Sequence, residues 1–495
     1  MVAKTIMVQG TMSNAGKSII ATGLCRIFAQ DGYRVAPFKS QNMALNSWIT
    51  ADGGEMGRAQ VVQAEACGIE PSVAMNPVLL KPVTDLGSQV IINGRARGVM
   101  PAGNYFDTRG SLRPVIRAAF DSLAAANDIV VIEGAGSPAE INLRRDDIVN
   151  MGLASLVDAP VVLVGDIDRG GVFAQLVGTS VLLPADERAR IHGFIINKFR
   201  GDVSLLGDGL DELERLTGIP TLGVVPYLSL DIDDEDSLSE RLRPRPGPGG
   251  AGSVDIAVVR LPKVSNFTDF TALAATPGLG VRYVDAPRQM GTPDLVILPG
   301  TRNTIADLAW LRATGLADLV IAQAAAGRPV LGICGGYQML GQTIDDPDGV
   351  EGGGTVAGLG LLPITTLFQP SKEQTHAAGV IRPVGGPLAA LSGAAVAGYE
   401  IHMGVSTLLE SALPFVTLSQ GTTDGCWQGC VYGTYLHGFF DATGLRQAVL
   451  AAFGAPDAGG LDDYTAHRQA QYNQLADALR ASLNIERIYQ IMEVR

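Results

Sequence analysis

A cysteine on a predicted strand-to-helix turn is the residue of this chain best placed to act as a nucleophile. The stretch 328–341, RPVLGICGGYQMLG, has an apolar run followed by a glycine-rich helix start, which places Cys334 on the turn between them. The Gly-x-Cys-x-Gly spacing is the cysteine form of a nucleophile elbow, whose strained turn requires small flanking residues. The positive end of the following helix favours the reactive thiolate. A buried structural cysteine is the alternative interpretation.

Two further stretches contain the groups that a cysteine nucleophile needs. The strand LVILPGT ends in a tight turn, where the backbone N–H of Gly300 could join that of Gly335 in holding an oxyanion. The strand in VYGTYLHGFF ends at His437, which could accept the thiol proton and later return it to a leaving amine. We therefore predict that Cys334 and His437 are catalytic.

The order of this turn, the cysteine and the histidine along the chain resembles the class I, triad-type glutamine amidotransferases. The resemblance implies that the cysteine attacks the side-chain amide of glutamine and releases ammonia. Members of that family have a glutamate two residues after the histidine, whereas this chain has Phe439. Glu400, in the segment GYEIHMG, is a candidate to orient the imidazole instead, and His402 in the same segment is a candidate to contact glutamine.

A strand, a glycine loop and a helix start follow one another in residues 5–18, TIMVQGTMSNAGKS. Five residues separate Gly10 from the Gly-Lys-Ser triplet at 16–18, one more than in the standard phosphate loop. Backbone N–H groups of such a loop wrap a phosphate, the lysine neutralises it, and the serine hydroxyl reaches Mg²⁺. The longer loop resembles dethiobiotin synthetase and its relatives, which implies ATP binding. The expected ATP-binding residues are Gly10, Thr11, Asn14, Gly16, Lys17, Ser18 and Asn197.

Charged residues at the ends of predicted strands are candidates for binding metal and substrate. The strand DIVVIEG ends near Glu133, which is placed like the acid that coordinates Mg²⁺ beside a phosphate loop, together with Ser18. Glu55 is a further candidate for Mg²⁺, or a surface charge. The polar loop after Lys39 lies where open α/β sheets bind ligands. The same resemblance implies that arginines at strand ends hold an anionic substrate, and the substrate-binding candidates are Lys39, Asn42, Arg144, Asp168, Arg169 and Arg200.

The alternation of short apolar strands with helices predicts an α/β fold throughout. We expect a doubly wound parallel-sheet domain with the phosphate loop in 1–235, and an α/β domain of the class I glutamine amidotransferase type in 253–455. Residues 231–252 begin rich in acids and continue rich in Pro and Gly, and 236–252 are predicted to be a linker. Residues 456–495 are predicted to be a helical tail that packs back across a domain.

The composition excludes some classes of function. The chain has 495 residues and a formal net charge of −13, which argues against general nucleic-acid binding because phosphate contacts require a basic face. Its 5 cysteines lack disulfide-framework or metal-ligand spacing, which favours a reducing compartment. The first residues are predicted to form a strand rather than a signal peptide, and no apolar run reaches membrane-spanning length. We therefore expect a cytoplasmic protein with no membrane partner.

Together the two predicted sites indicate ATP-dependent amide synthesis, in which ammonia from glutamine attacks an acyl phosphate. Segments over nearly the whole chain, including PFKSQNMALNS, EGAGSPAEINL, GDIDRGGVFA and YGTYLHG, resemble the cobyric acid synthase family. The resemblance implies amidation of the b, d, e and g carboxylates of adenosylcobyrinic acid a,c-diamide, a corrinoid, using ATP, Mg²⁺ and glutamine. The alternatives are cobyrinic acid a,c-diamide synthase and a ParA-like nucleotide-binding scaffold. The oligomeric state stays open.

Overall fold

The computed structural model describes residues 3–84, 87–233, 253–455 and 463–493. The predicted linker at 236–252 lies outside the described residues, as do residues 456–462 at the start of the predicted tail. The chain forms two compact units, which divide it differently from the expected linear order. The N-terminal unit is drawn from 1–43, 54–232 and 468–495, and the C-terminal unit from 44–53 and 233–467.

Six parallel strands form the main sheet of the N-terminal unit, which confirms the predicted fold class. The strand Lys4–Gly10 lies between Val161–Asp166 and Ile129–Glu133. The strand order reverses there, so the phosphate loop lies at the edge where open α/β sheets bind ligands. In order across the sheet the strands are Thr221–Pro226, Ile191–Phe199, Val161–Asp166, Lys4–Gly10, Ile129–Glu133 and Val35–Phe38.

Helices and a smaller sheet complete this unit. Its helices before the C-terminal tail are Lys17–Gln30, Arg58–Cys67, Ala102–Thr108, Arg113–Ala126, Met151–Val157, Val172–Leu182, Ala185–Arg188 and Gly207–Thr217. The smaller sheet contains Gln41–Met43, Val78–Thr84, Gly87–Ile92 and Arg95–Pro101. A further short strand is Glu55–Gly57, and the single turns of 3₁₀ helix are Val73–Met75, Arg109–Leu112, Ile141–Leu143 and Val203–Leu206.

The end of the chain packs on the N-terminal unit from residue 468 onward. The last two helices are Tyr464–Ser482 and Ile485–Ile491. Leu475 and Leu479 are fully buried in one apolar cluster with the helix Lys17–Gln30. The hydroxyl of Tyr472 donates a hydrogen bond of 2.8 Å to Glu65 Oε2. The tail therefore contributes both apolar area and a polar anchor to this core.

An eleven-stranded sheet organises the C-terminal unit. The strand Val330–Ile333 pairs in parallel with Leu295–Leu298 on one side and Val431–Thr434 on the other, so the carboxyl ends of these three strands meet. The other strands of the sheet are Val254–Val259, Leu279–Val284, Thr343–Asp346, Gly354–Ala357, Ile364–Ile381, Ala395–Leu408, Leu413–Leu418 and Thr423–Gln428. Ser47–Ile49 is a further short strand of this unit.

Short helices cover this sheet. The α-helices are Thr271–Ala275, Pro287–Met290, Thr304–Ala313, Leu316–Ala325, Gly335–Leu340 and Thr443–Ala452, and the 3₁₀ turns are Phe267–Phe270, Ala389–Leu391 and Phe439–Asp441. Across the described residues of both units, every helix is too short or too polar to span a bilayer.

The packing of the tail predicts a stability difference between two leucines of the N-terminal unit. Leu479→Ala removes a side chain that is 0% exposed, so we expect it to lower the free energy of unfolding of this unit by about 2–5 kcal/mol. Leu216→Ala is the matched control, because Leu216 is 56% exposed, and its cost should stay within about 0.5 kcal/mol. Urea unfolding measures both, and equal small effects would mean that the tail is not docked.

Candidate active sites

Cys334 occupies the predicted nucleophile elbow. It follows the strand Val330–Ile333 and precedes the helix Gly335–Leu340. Its φ of 51° and ψ of −110° form a positive-φ conformation that is strained for a residue with a Cβ. Its N–H donates 2.8 Å to the carbonyl of Thr434, which holds the turn in place. A Cβ on Gly336 would collide with the carbonyl of Leu298, which explains the small residue after the nucleophile.

His437 lies beside this cysteine, and its Nδ1 nitrogen contacts a carboxylate. Its Nδ1 is 2.7 Å from Oδ2 of Asp269, and the N–H of Gly438 donates 2.9 Å to Oδ1 of the same residue. The His437 and Asp269 side chains are 1% and 2% exposed. The arrangement is therefore that of a catalytic triad, with Cys334 as the nucleophile, His437 as the base and Asp269 as the acid that orients the base.

The charge state of His437 follows from these neighbours. Burial by itself would lower the pKa of the imidazole, but the Asp269 carboxylate, its hydrogen bond and the interaction with Cys334 raise it to about 10. At neutral pH the imidazole therefore keeps a second proton, which it can donate to a leaving group. Because the interaction with Cys334 contributes to the raised pKa, loss of that interaction when the sulfur is acylated would lower the pKa of His437 again.

Asp269, rather than Glu400, fills the third position of the site. Oε2 of Glu400 lies 3.6 Å from Nε2 of His402, so these two predicted residues face each other. The ring of His402 stacks on Tyr435 at 3.8 Å, and its Nδ1 is 2.8 Å from the carbonyl of Gly404. The expectation that Glu400 orients the catalytic imidazole is therefore corrected. The contact of His402 with glutamine stays a prediction.

The predicted oxyanion donors lie against the catalytic residues. A Cβ on Gly300 would come within 2.8 Å of Cε1 of His437, and one on Gly335 within 3.2 Å of the Thr301 nitrogen. Gly335 is the first residue of its helix, so its N–H has no acceptor within that helix. The 300–301 turn thus lies beside both His437 and Gly335. That the N–H groups of Gly300 and Gly335 hold an oxyanion stays a prediction.

In the N-terminal unit the phosphate loop leads into the helix Lys17–Gln30, as predicted. Gly16 has φ 102°, and a Cβ there would collide with the amide of Asn197, so two of the predicted ATP-binding residues touch. Asn197 Nδ2 also donates 3.0 Å to the Ala15 carbonyl. Lys17 Nζ donates 3.0 Å to the Gly136 carbonyl, and the Asn14 carbonyl accepts 2.6 Å from Lys198. Gly10 ends the first strand, and Thr11 begins the loop.

Glu133 is the centre of a buried polar cluster beside this loop. Its Oε1 accepts hydrogen bonds of 2.8 Å from Ser18 and 2.8 Å from Lys39, and its Oε2 accepts 2.5 Å from Gln63 Nε2. Within the described part of the chain, Oε1 of Gln63 is buried and has no hydrogen-bond donor. Oxygen donors of this kind suit Mg²⁺, so Ser18 and Glu133 fit the metal directly and Gln63 fits a metal-bound water.

Two other predicted site residues of this unit form ion pairs. Glu55 is fully buried and its Oε1 is 2.9 Å from Lys81 Nζ, so Lys81 balances its charge, and its role as a magnesium ligand stays a prediction. Arg144 pairs with Glu187 at 2.8 Å, so its charge is already balanced. Asn42 donates 3.1 Å to Gln60 Oε1.

The predicted substrate residues at the next strand also form a pair. Arg200 is 2.9 Å from Asp168 and lies 3.5 Å above the ring of Tyr227, whereas Arg169 is exposed. These side chains thus lie at the same edge of the sheet as the phosphate loop. The charges of Arg144 and Arg200 are already balanced by carboxylates, which differs from the sequence prediction that these arginines hold an anionic substrate.

The fold and these two sites define a nucleotide-binding domain joined to a glutamine amidotransferase domain. The CobQ/CobB/MinD/ParA nucleotide binding domain matches residues 6–237, and the CobB/CobQ-like glutamine amidotransferase domain matches residues 255–444.

Similarity extends over the whole chain to proteins named cobyric acid synthase. The one from Ruminiclostridium cellulolyticum is 53% identical over 99% of this chain and 97% of its own length. Those from Lachnoclostridium phytofermentans and Photorhabdus laumondii are 52% and 51% identical, each over 99% of this chain and 99% and 98% of their own lengths. The chain belongs to the cobyric acid synthase family, which confirms the prediction of a glutamine amidotransferase enzyme.

The contact between Asp269 and His437 predicts a change in pH dependence. Asp269→Asn removes the charge that raises the pKa of His437 to about 10, so the imidazolium should lose its proton at a lower pH. Ammonia release from glutamine should then have its alkaline limb at lower pH, and kcat should fall about 10²- to 10⁴-fold. The pH profile of glutamine hydrolysis measures both effects.

Glu400→Gln is the matched control for Asp269→Asn, because it also replaces a carboxylate with an amide. It should leave the alkaline limb in place, since Glu400 lies against His402. A shift in Glu400→Gln and none in Asp269→Asn would reverse the assignment of the orienting acid.

Proposed function

We propose that this enzyme amidates the b, d, e and g carboxylates of adenosylcobyrinic acid a,c-diamide, with ATP and glutamine, to give adenosylcobyric acid. The observation that carries the proposal is the identity of about half the residues, over nearly the full length, with proteins named cobyric acid synthase. The two sites described above supply the chemistry that such a reaction requires, since one releases ammonia and the other activates a carboxylate.

The glutamine half-reaction begins at Cys334. Its thiolate attacks the side-chain amide carbon of glutamine, and the N–H groups near Gly300 and Gly335 hold the oxyanion. His437 donates its proton to the leaving ammonia, and a thioester remains. Once the sulfur is acylated, the imidazole can accept a proton from water. The attack of this water on the thioester releases glutamate. Asp269 keeps the imidazole in the orientation that serves both steps.

The second half-reaction belongs to the phosphate loop. Loop N–H groups and Lys17 bind the ATP phosphates, and the substrate carboxylate receives the γ-phosphoryl group to form an acyl phosphate. Mg²⁺, when bound, neutralises charge on the phosphates, and Ser18 and Glu133 would hold it. Ammonia then displaces phosphate from the acyl carbon and leaves the amide. The five cysteines are unpaired thiols, which suits the cytoplasmic location that we also propose.

A mass-spectrometric end point tests the proposal. Purified protein is incubated with ATP, Mg²⁺, glutamine and adenosylcobyrinic acid a,c-diamide, and we expect a product that carries four new amides. If that substrate stays unchanged while cobyrinic acid gains two amides, the enzyme is the a,c-diamide synthase instead. No amidation of either substrate, with no release of ammonia from glutamine, would favour a nucleotide-binding scaffold.

The two chemistries should separate by mutation. Cys334→Ala removes the nucleophile, so synthesis from glutamine should disappear while synthesis from added ammonium continues. Glu133→Gln weakens the proposed magnesium site, so synthesis from either nitrogen source should fall at least about 100-fold. Both are measured by the rate of amide formation.

Glu214→Gln is the control for the second variant, because Glu214 is exposed and distant in sequence from the loop. Loss of synthesis from ammonium in folded Cys334→Ala protein would contradict separate sites.

A further inference from the structure

Residues 44–53, called here the inserted segment, belong to the C-terminal unit although the residues on both sides of them belong to the N-terminal unit. The sequence predicted that the polar loop after Lys39 lies where ligands bind. In the structure Asn46, Ser47 and Ile49 are at most 1% exposed. A polar segment buried in this way must place its hydrogen bonds on specific partners.

The first set of partners is the turn that carries Asp269. Oδ1 of Asn46 accepts a hydrogen bond of 3.0 Å from the N–H of Phe267, and Oδ1 of Asn266 accepts one of 3.1 Å from the N–H of Ser47. Asn266 has a φ of 50° and directly precedes the 3₁₀ turn Phe267–Phe270. The two asparagines therefore fasten the inserted segment to the start of the turn that presents the carboxylate to the imidazole.

The second partner is Tyr399, which touches His437 directly. The hydroxyl of Tyr399 donates 3.0 Å to the Ser47 carbonyl, and the Trp48 ring lies 4.8 Å from the Tyr399 ring. Tyr399 stacks on the imidazole of His437 with ring centroids 5.4 Å apart. The backbones of Tyr399 and His437 also exchange hydrogen bonds of 3.1 Å and 2.9 Å. The inserted segment thus contacts the start of the turn that carries Asp269 and the ring that stacks on His437.

We propose that the inserted segment positions His437 for glutamine hydrolysis, with Asn46 acting through the Asp269 turn and Tyr399 linking the segment to the imidazole face. Asn46 is a positioning residue, because it touches neither the thiol nor the base. The proposal rests on the proposed function, since it requires that Cys334 hydrolyse glutamine. Displacement of a base by about 1 Å can cost about 10²-fold in rate, so loss of either contact should be measurable.

The test uses the full-length protein with two variants that remove one contact each. Asn46→Ala removes the acceptor for the Phe267 N–H, and Tyr399→Phe removes only the hydroxyl that binds Ser47 and keeps the ring on His437. We expect kcat for ammonia release from glutamine to fall about 10-fold or more in each, with KM changed less than about 3-fold. The alkaline limb should move to lower pH, since a less well placed carboxylate supports a smaller rise in the pKa of His437.

Three comparisons make the result specific. Asn46→Asp keeps the acceptor oxygen but adds a buried charge, so its rate should stay below that of wild type. Amide synthesis from added ammonium should stay within about 2-fold of wild type in every variant, because it does not use His437. Asn104→Ala, an exposed asparagine of the N-terminal unit, should match wild type.

The outcomes separate this inference from the proposed function. Unchanged kcat and pH limb in both Asn46→Ala and Tyr399→Phe would overturn the positioning role. Equal loss of glutamine-dependent and ammonium-dependent synthesis would also overturn it, since that pattern reports general damage to the fold. If the wild-type protein releases no ammonia from glutamine, the proposed function itself fails, whatever the variants do.

Discussion

The hydrogen bond between His437 and Asp269 is the interaction on which the glutamine site depends. Both side chains are nearly fully buried, where an unpaired charge would be costly, so each group makes the charged form of the other tolerable. The N–H of Gly438 holds the second carboxylate oxygen at 2.9 Å and leaves the acid little freedom to turn. The same pair keeps the imidazole protonated beside the thiol, and this proton is needed when ammonia leaves.

Local sequence was sufficient to predict the nucleophile and the phosphate loop. At both places a short apolar strand runs into a tight turn and then a helix, and the glycines are required by collisions that the structure shows, such as that between Gly336 and the Leu298 carbonyl. Because the apolar run, the glycines and the functional residues of each motif lie in one short stretch of sequence, the motif can be recognised without knowing the tertiary contacts that require its glycines. The parallel sheet around them followed from the same alternation of strands and helices.

The orienting acid was not predictable in this way. Asp269 lies 168 residues before His437, on a 3₁₀ turn that has no spacing motif, and only the packing of the sheet brings the two together. Glu400, in the segment GYEIHMG, was the candidate that the sequence provided instead. Likewise, hydrophobic periodicity cannot tell which unit a polar loop joins, so the place of residues 44–53 in the C-terminal unit was missed. The partners of Arg144 and Arg200 were missed for the same reason, because ion pairs depend on tertiary contacts.

The most direct test of this account is the protonation state of His437 itself. The chain has 5 histidines, so ring ¹⁵N signals of histidine-labelled protein can be resolved by NMR and His437 assigned from a His437→Gln variant. We predict that His437 keeps both ring protons at pH 8 in the wild-type protein, because its pKa is raised to about 10, and loses one of them in Asp269→Asn. A wild-type protein in which all the histidines are neutral at pH 8 would contradict the central role of the Asp269 contact.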